Sequence, residues 1–355
     1  MGLTRRQFMG SSAAMVAGAI ARNTALDANG RVNVAAGESR AELRVGIIGL
    51  DAHGLPFTEL LNAPDTPPEL AGARVVAAWP GGSPDIETSQ DILARSVEPV
   101  GELGAEIVDS IDDVLAKSDV VMILSIDGRP RLEQARKVIA AGKRFFIDKP
   151  VAASLADTVR VYELAAQAGV PCFSSSALRF SPGILGMRDD PAVGEVRGCD
   201  AYGSNMPLEP SHPDLFYYGI HATEMLFTIM GAGCVSVTRV TTSGTDVVVG
   251  EWDDGRVGVF RGIRDGASDF GAMVFGTKGI APAGKFAGYP PLMAEIVQFF
   301  KTGEPPVAVE EVLEIYAFME AADESKRQGG ISVTLECVLE KAKAAAADDA
   351  VKAGQ

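Results

Sequence analysis

VGIIGLDAHGLPFTELL, residues 45–61, runs from a β-branched stretch through a glycine turn into an amphipathic segment. That order opens a dinucleotide-binding unit, in which a strand delivers the chain to a tight turn and the next helix offers its first amides to an anion. The G-x-G-x-x-G pattern of such turns falls on Gly49-Leu50-Asp51-Ala52-His53-Gly54. Gly49 permits the turn, and Gly54 permits close packing of helix on strand. Asp51 replaces the middle glycine, which lets the backbone approach a pyrophosphate. At about 4 Å and an effective dielectric of about 20, each carboxylate–phosphate pair costs about 4 kcal/mol. A dinucleotide therefore requires Asp51 to swing outward. The acid that grips the adenosine ribose at the end of a second strand is also replaced, by Trp79-Pro80-Gly81-Gly82-Ser83. Trp79 either stacks on a ring of the ligand or packs as a core residue. Gly49, Asp51, His53, Gly54 and Trp79 are the candidate cofactor contacts of this half.

Residues 43–176 alternate short apolar strands (43–49, 73–79, 105–109, 119–125, 144–147, 170–175) with amphipathic helices. Ser110 and Ser154 each precede an acid by three positions, an N-cap signature. Leu132, Ala135, Val138 and Ile139 share a helical face that stops at Gly142. Such alternation predicts a doubly wound parallel sheet whose ligands sit at the C-terminal strand ends near the switch point. After Arg179 the texture becomes successive alternating strands with Asp-Asp-Gly (253–255) and Arg-Asp-Gly (264–266) turns, which predicts an antiparallel sheet. Helices are expected at 215–230, 291–301 and 310–328. The chain is thus α/β: a Rossmann domain over 43–176, an α+β domain with a mainly antiparallel open sheet over 177–340, and a fraying tail over 341–355.

The formal charge of −15 removes nucleic acid and anionic membranes from the candidate partners, because no basic face would neutralise phosphates. Thr4-Arg5-Arg6-Gln7-Phe8-Met9 before a short apolar run, with Ala19-Ile20-Ala21 as a cleavage site, reads as a twin-arginine export signal. Residues 1–42 are then signal and linker, the apolar run is too short to span a bilayer, and the mature protein is periplasmic or otherwise exported. A dehydrogenase sent out folded would carry its cofactor tightly bound, or use none. The four cysteines form no CxxC pair and are expected as buried free thiols.

The chemistry gathers at two further motifs. Asp148-Lys149-Pro150 follows the strand RFFI, so Lys149 points into the ligand crevice, and Tyr217-Tyr218-Gly219-Ile220-His221-Ala222-Thr223-Glu224 places a histidine on a helix. AAGKRFFIDKPVAASLAD, this histidine helix and the GTKG of 276–279 resemble the glucose–fructose oxidoreductase, inositol dehydrogenase and MocA (Gfo/Idh/MocA) family. The resemblance covers nearly all the mature chain. It implies a Rossmann domain, an α+β domain whose open sheet forms contacts in a homo-oligomer, and NAD or NADP chemistry on a small carbohydrate or polyol. It further implies that Lys149 positions the substrate hydroxyl and the nicotinamide, with Asp148 in place of the usual Glu. His221 would be the general base. Tyr217 takes the place of the family's first Asp and, four positions from His221, shares its helical face.

Other positions depart from the family pattern. ILSIDGRPRLEQ carries Arg131 where the family has a histidine, leaving Ser125 and Asp127 on the cofactor side. Arg129, His212 and Asp214 are candidates for substrate contacts. His212, Asp214 and His221 match no standard metal spacing, and no metal is expected. With Asp51, Trp79, Arg131 and Tyr217 all altered, a second reading stands beside the oxidoreductase: a non-redox carbohydrate-binding protein, lyase or hydrolase that reuses the crevice.

Overall fold

The computed structural model describes residues 42–206, 212 and 214–353. The twin-arginine segment lies outside the described residues. Six strands, β1 (Leu43–Ile48), β2 (Ala73–Trp79), β3 (Glu106–Ile107), β4 (Val120–Ile123), β5 (Phe145–Ile147) and β6 (Cys172–Phe173), form one sheet in the order β3-β2-β1-β4-β5-β6. Every pair is parallel, and the order reverses direction between β1 and β4, the switch point of a doubly wound fold. The helices α1 (Gly54–Asn62), α2 (Glu87–Glu102), α3 (Ile111–Lys117), α4 (Arg131–Ala140) and α5 (Leu155–Ala168) connect these strands. Both expected caps form: Ser110 and Ser154 accept from the amides of Asp113 and Asp157. Gly169 ends α5 at a φ of 65°, a conformation that disfavours a Cβ.

Beyond a short helix α6 (Pro182–Leu185), the second sheet has seven strands. They are β7 (Val196–Ser204), β8 (Cys234–Thr241), β9 (Thr245–Trp252), β10 (Val257–Ile263), β11 (Gly271–Gly276), β12 (Ile280–Pro282) and β13 (Val333–Thr334), in the order β12-β11-β7-β10-β9-β8-β13. The sheet is antiparallel except for the central parallel pair β7–β10. The helices α7 (Gly219–Met230) and α9 (Val309–Arg327) cover one face, while α8 (Pro290–Thr302) reaches back to α1. The other face alternates outward with Tyr202, Val235, Val240, Val249, Val257 and Met273, all exposed.

Two expectations about elements change. The histidine helix starts at Gly219 rather than 215, so Tyr217 and Tyr218 lie in the turn before it. Residues 341–353 of the expected tail form part of α10 (Leu335–Ala353), which packs on α5 and α9, and 354–355 lie outside the described residues. Val338, Ala342 and Ala346 recur every four residues and are buried, giving it a continuous apolar stripe. Cys172, Cys199 and Cys234 are buried free thiols, and Cys337 is free but exposed. No helix among the described residues is long and apolar enough to cross a membrane.

Candidate active site

At the C-terminal ends of β1 and β5, under the start of α7, lies a cavity of about 170 Å³. Its polar wall is His53, Asp148, Lys149, Ser176, Tyr218 and His221; Phe270, Phe286, Tyr289 and Leu292 close the apolar side. Lys149 and His221 thus meet, one from each sheet's domain. Lys149 follows the end of β5, and its Nζ stands 5.7 Å from the centre of the Tyr217 ring and 5.3 Å from that of Tyr218. Burial lowers its pKa to about 8, and Arg131 acts in the same direction against Asp148.

Asp148 is buried, and its Oδ2 lies 2.5 Å from Nδ1 of His53. Burial alone would raise this carboxyl, but His53, Arg131 and Lys149 outweigh it and hold the pKa at about 2. The His53 ring is fixed by Phe57, stacked at 5.4 Å, and by Tyr289 at 5.0 Å. His221 Nδ1 lies 2.7 Å from Ser176 Oγ. Burial, then Lys149 and His53, push its protonation well below the ordinary histidine range. Behind it, Glu224 accepts from the Ser176 amide at 2.7 Å and pairs with Arg179 at 2.8 Å, which fixes the loop after β6.

Arg131, in the family's histidine place, does not reach the cavity. Fully buried, it donates to the carbonyls of Ser125, Asp148 and Pro150. It ties the end of β4 to the segment that carries Lys149.

The crevice above the switch point is crowded by the chain itself. Gly49 turns at a φ of 94°, where a Cβ would come within 2.5 Å of the Ser125 amide nitrogen. Its own amide and that of Leu50 donate to the carbonyls of Trp79 and Pro80. Asp51 has not swung outward. It is fully buried and accepts from Ser89 Oγ at 2.7 Å and from the Ile126 amide at 3.1 Å, which spans the gap from the β1 turn to the end of β4. Burial raises its pKa against those hydrogen bonds. Beside it, Ile86, Ile126 and Tyr217 form a small apolar cluster with Ala52, Ile92 and Tyr218 against it. Gly54 begins α1, whose N-cap His53 makes no side-chain cap bond, so the first amides of that helix have no capping side chain.

Several sequence candidates are engaged elsewhere. Arg129 pairs with Asp85 at 2.8 Å and with Asp127 at 2.7 Å, and Asp127 also accepts from Ser83. Ser125 is bonded to Gln134. Trp79 packs against the core and does not line the cavity. His212 Nε2 accepts from the Gly128 amide at 2.7 Å, and burial lowers its pKa to about 4. Asp214 pairs with Arg239 of β8 at 2.6 Å and with Lys326 of α9, away from the cavity lining. Tyr217 lies beneath Lys149, whereas its neighbour Tyr218 lines the cavity. With Tyr217 before the helix, the four-residue spacing to His221 no longer sets a shared face; Tyr218 is three positions before His221, and their rings meet at 5.7 Å. The adjacent tyrosine in Tyr217-Tyr218 was the one signal for this. Tyr289, Phe270 and Phe286 come from segments with no motif. Among the described residues no group of three or more His, Cys, Asp or Glu is placed to hold a metal ion.

Residues 43–176 match the Gfo/Idh/MocA family, described as an oxidoreductase family with an NAD-binding Rossmann fold. An inositol 2-dehydrogenase from Cereibacter sphaeroides is 33% identical over 121 residues, which is 34% of this chain and 32% of that protein. The chain thus spans about a third of the length of that curated relative. Two solved structures share the fold across both domains. A probable dehydrogenase from Thermotoga maritima has a TM-score of 0.69 at 22% identity, covering 83% of this chain and all of the other. A scyllo-inositol dehydrogenase from Lactobacillus casei, with NAD(H) and scyllo-inositol bound, has a TM-score of 0.67 at 16% identity, covering 84% of this chain and all of the other. Residues 43–176 therefore match the Gfo/Idh/MocA oxidoreductase family, and the chain as a whole has the two-domain fold of these solved dehydrogenases.

Proposed function

We propose that the protein is an oxidoreductase that oxidises a hydroxyl of a cyclitol, sugar or related polyol, with NAD as the hydride acceptor. The observation that carries this is the convergence of Lys149 and His221, from two domains, on one cavity beside the buried Asp148. Lys149 donates to the oxygen of the reacting hydroxyl, His221 hydrogen-bonds the same oxygen, and Phe270 and Phe286 keep water from the apolar side of the ring. The family of residues 43–176 and the inositol dehydrogenase relatives support the cofactor and the substrate class.

The residues fit a nicotinamide dinucleotide unequally. Its reactive end fits beside Lys149, Tyr218 and His221. The phosphate end meets Gly49 and the uncapped start of α1, but Asp51 lies across its path, so the phosphates do not fit until that side chain moves. Bound NAD would supply the hydride acceptor; binding and orienting the polyol belong to this chain's own residues.

The crossing carboxylate favours a second reading, a carbohydrate site that works without a dinucleotide. Calorimetry with NAD on the wild type and on Asp51→Gly separates the two. On the oxidoreductase reading both bind, and the glycine variant binds tighter because one repulsive charge is gone and a backbone approach is restored. If neither binds NAD or NADP, the second reading replaces the first. We further propose that the protein is exported by the twin-arginine route on Arg5 and Arg6 and acts as a homo-oligomer through the exposed apolar sheet face.

A further inference from the structure

We propose a second activity for the cavity: removal and return of a proton on the carbon next to the carbonyl of a cyclic hydroxy-ketone, with His53 as the base and Lys149 holding the enolate oxygen. This proton transfer goes beyond the oxidoreductase reading and needs no dinucleotide. Asp51, Ser89, Ile126 and Trp79 do not line the cavity, so the side chain that crosses the phosphate path leaves the cavity itself clear.

His53 stands at the N-cap of α1, yet its side chain makes no cap bond and lines the cavity instead. Its Nδ1 lies 2.5 Å from Oδ2 of Asp148. That carboxylate, with its pKa held at about 2, is ionised and can only accept. Nδ1 therefore carries hydrogen, and Nε2 of the neutral ring keeps its lone pair. Among the described residues Nε2 has no hydrogen-bond partner. Stacking on Phe57 at an interplanar angle of 17° and the Tyr289 ring at 5.0 Å fix the orientation of the imidazole. A proton taken by Nε2 makes an imidazolium already in contact with a desolvated carboxylate, which is the support a general base requires.

Lys149 follows Asp148 directly and lines the same cavity. The carboxylate between the two groups serves His53 and the backbone: Oδ2 meets the imidazole, and Oδ1 accepts from the Lys149 amide at 2.8 Å. Among the described residues no carboxylate touches the ammonium, which faces the rings of Tyr217 and Tyr218. With a pKa of about 8 it is charged at neutral pH. Negative charge develops on a carbonyl oxygen only as the neighbouring proton leaves, so a fixed ammonium beside an apolar wall favours the enolate over the ketone. A cavity of about 170 Å³ with one polar and one apolar side suits a single six-membered polyhydroxy ring. Oxidation of one cyclitol hydroxyl gives a ketone of this class, so the product of the proposed oxidation is also the substrate of the proton transfer.

On the ketone, the C–H bond next to the carbonyl breaks and its proton goes to Nε2 of His53. The electron pair forms the C=C bond of the enolate, and a carbonyl pair moves onto the oxygen held by Lys149. The imidazolium exchanges its proton with water, and return of a proton from Nε2 to the carbon restores the ketone. Nothing is oxidised or reduced, and water is the one co-reactant.

The test incubates the full protein with 2-keto-myo-inositol in deuterium oxide, without added dinucleotide, and follows by mass spectrometry the deuterium gained next to the carbonyl. The expected result is exchange faster than in a protein-free control, lowered about 10²- to 10⁴-fold in His53→Gln and about 10²- to 10³-fold in Lys149→Met. Added imidazole should restore part of the exchange to His53→Ala, which a purely structural role of the ring would not allow. Exchange no faster than the control, or equally fast in His53→Gln, overturns the proposal, as does exchange that starts only when NAD is supplied. Each of these outcomes leaves the oxidoreductase reading to its own measurement, the reduction of NAD by a polyol.

Discussion

Lys149 leaves β5 with its ammonium against the faces of Tyr217 and Tyr218, a position that gives partial compensation by the ring quadrupoles but, among the described residues, no direct carboxylate partner. Burial therefore dominates and lowers the pKa to about 8. Below that value the side chain is an ammonium and donates a charge-assisted bond to the polyol; above it the neutral amine is a weaker donor. The affinity for myo-inositol, followed by calorimetry across pH, should fall about tenfold as pH rises through about 8, the loss of roughly 1.4 kcal/mol of hydrogen-bond strength. Lys149→Met should bind weakly at every pH, with no inflection there. A wild-type profile flat through that range would remove Lys149 from the ligand. This residue and His221 were legible in the sequence because motif and fold agreed on where a parallel strand ends. Arg129 and Asp214 were not, because their partners Asp85, Arg239 and Lys326 are distant in sequence and neutralise them before any ligand arrives.

The ends of β4 and β5 are held together by a side chain from α4 as well as by the sheet. Arg131 spends its guanidinium on the carbonyls of Ser125, Asp148 and Pro150. Arg131→Met would leave these buried acceptors unpaired at about 1–3 kcal/mol each, and the variant should lose about 3 kcal/mol or more of stability in denaturant unfolding. Because two of these carbonyls belong to the Asp148-Lys149-Pro150 segment, polyol affinity should drop as well. A variant with unchanged stability would show that the clamp carries no load. Strands, caps and helix ends were legible at this scale: alternation, Ser110, Ser154 and Gly169 are local signals. The role of Arg131 was not legible, since a position read as a lost histidine gives no hint of three carbonyls converging on it. The start of α7 was missed for a related reason, as Leu215, Phe216 and Tyr217 are buried like helix residues while lying in a turn.

Across the whole molecule, the α/β order with a second open sheet follows from the change in texture after Arg179. The parallel β7–β10 pair inside the second sheet does not, because strand direction leaves no mark on the alternation of side chains. The exposed row of Tyr202, Val249 and Met273 on that sheet is an apolar surface suited to a second copy. Val249→Arg should shift the protein to a smaller species in sedimentation, and a wild type that is already monomeric would refute the oligomer. Replacing Arg5 and Arg6 with Lys should hold the precursor in the cytoplasm, and unchanged export would refute the twin-arginine route. The central claim is hydride transfer at the Lys149–His221 cavity. Its most direct test is to incubate the protein with NAD and a cyclitol deuterated at each carbinol carbon, and to weigh the nicotinamide afterwards. The account predicts reduced nicotinamide carrying one deuterium with the wild type and none with Lys149→Ala. Unlabelled NAD alone from the wild type, with every inositol isomer and hexose tried, would contradict it.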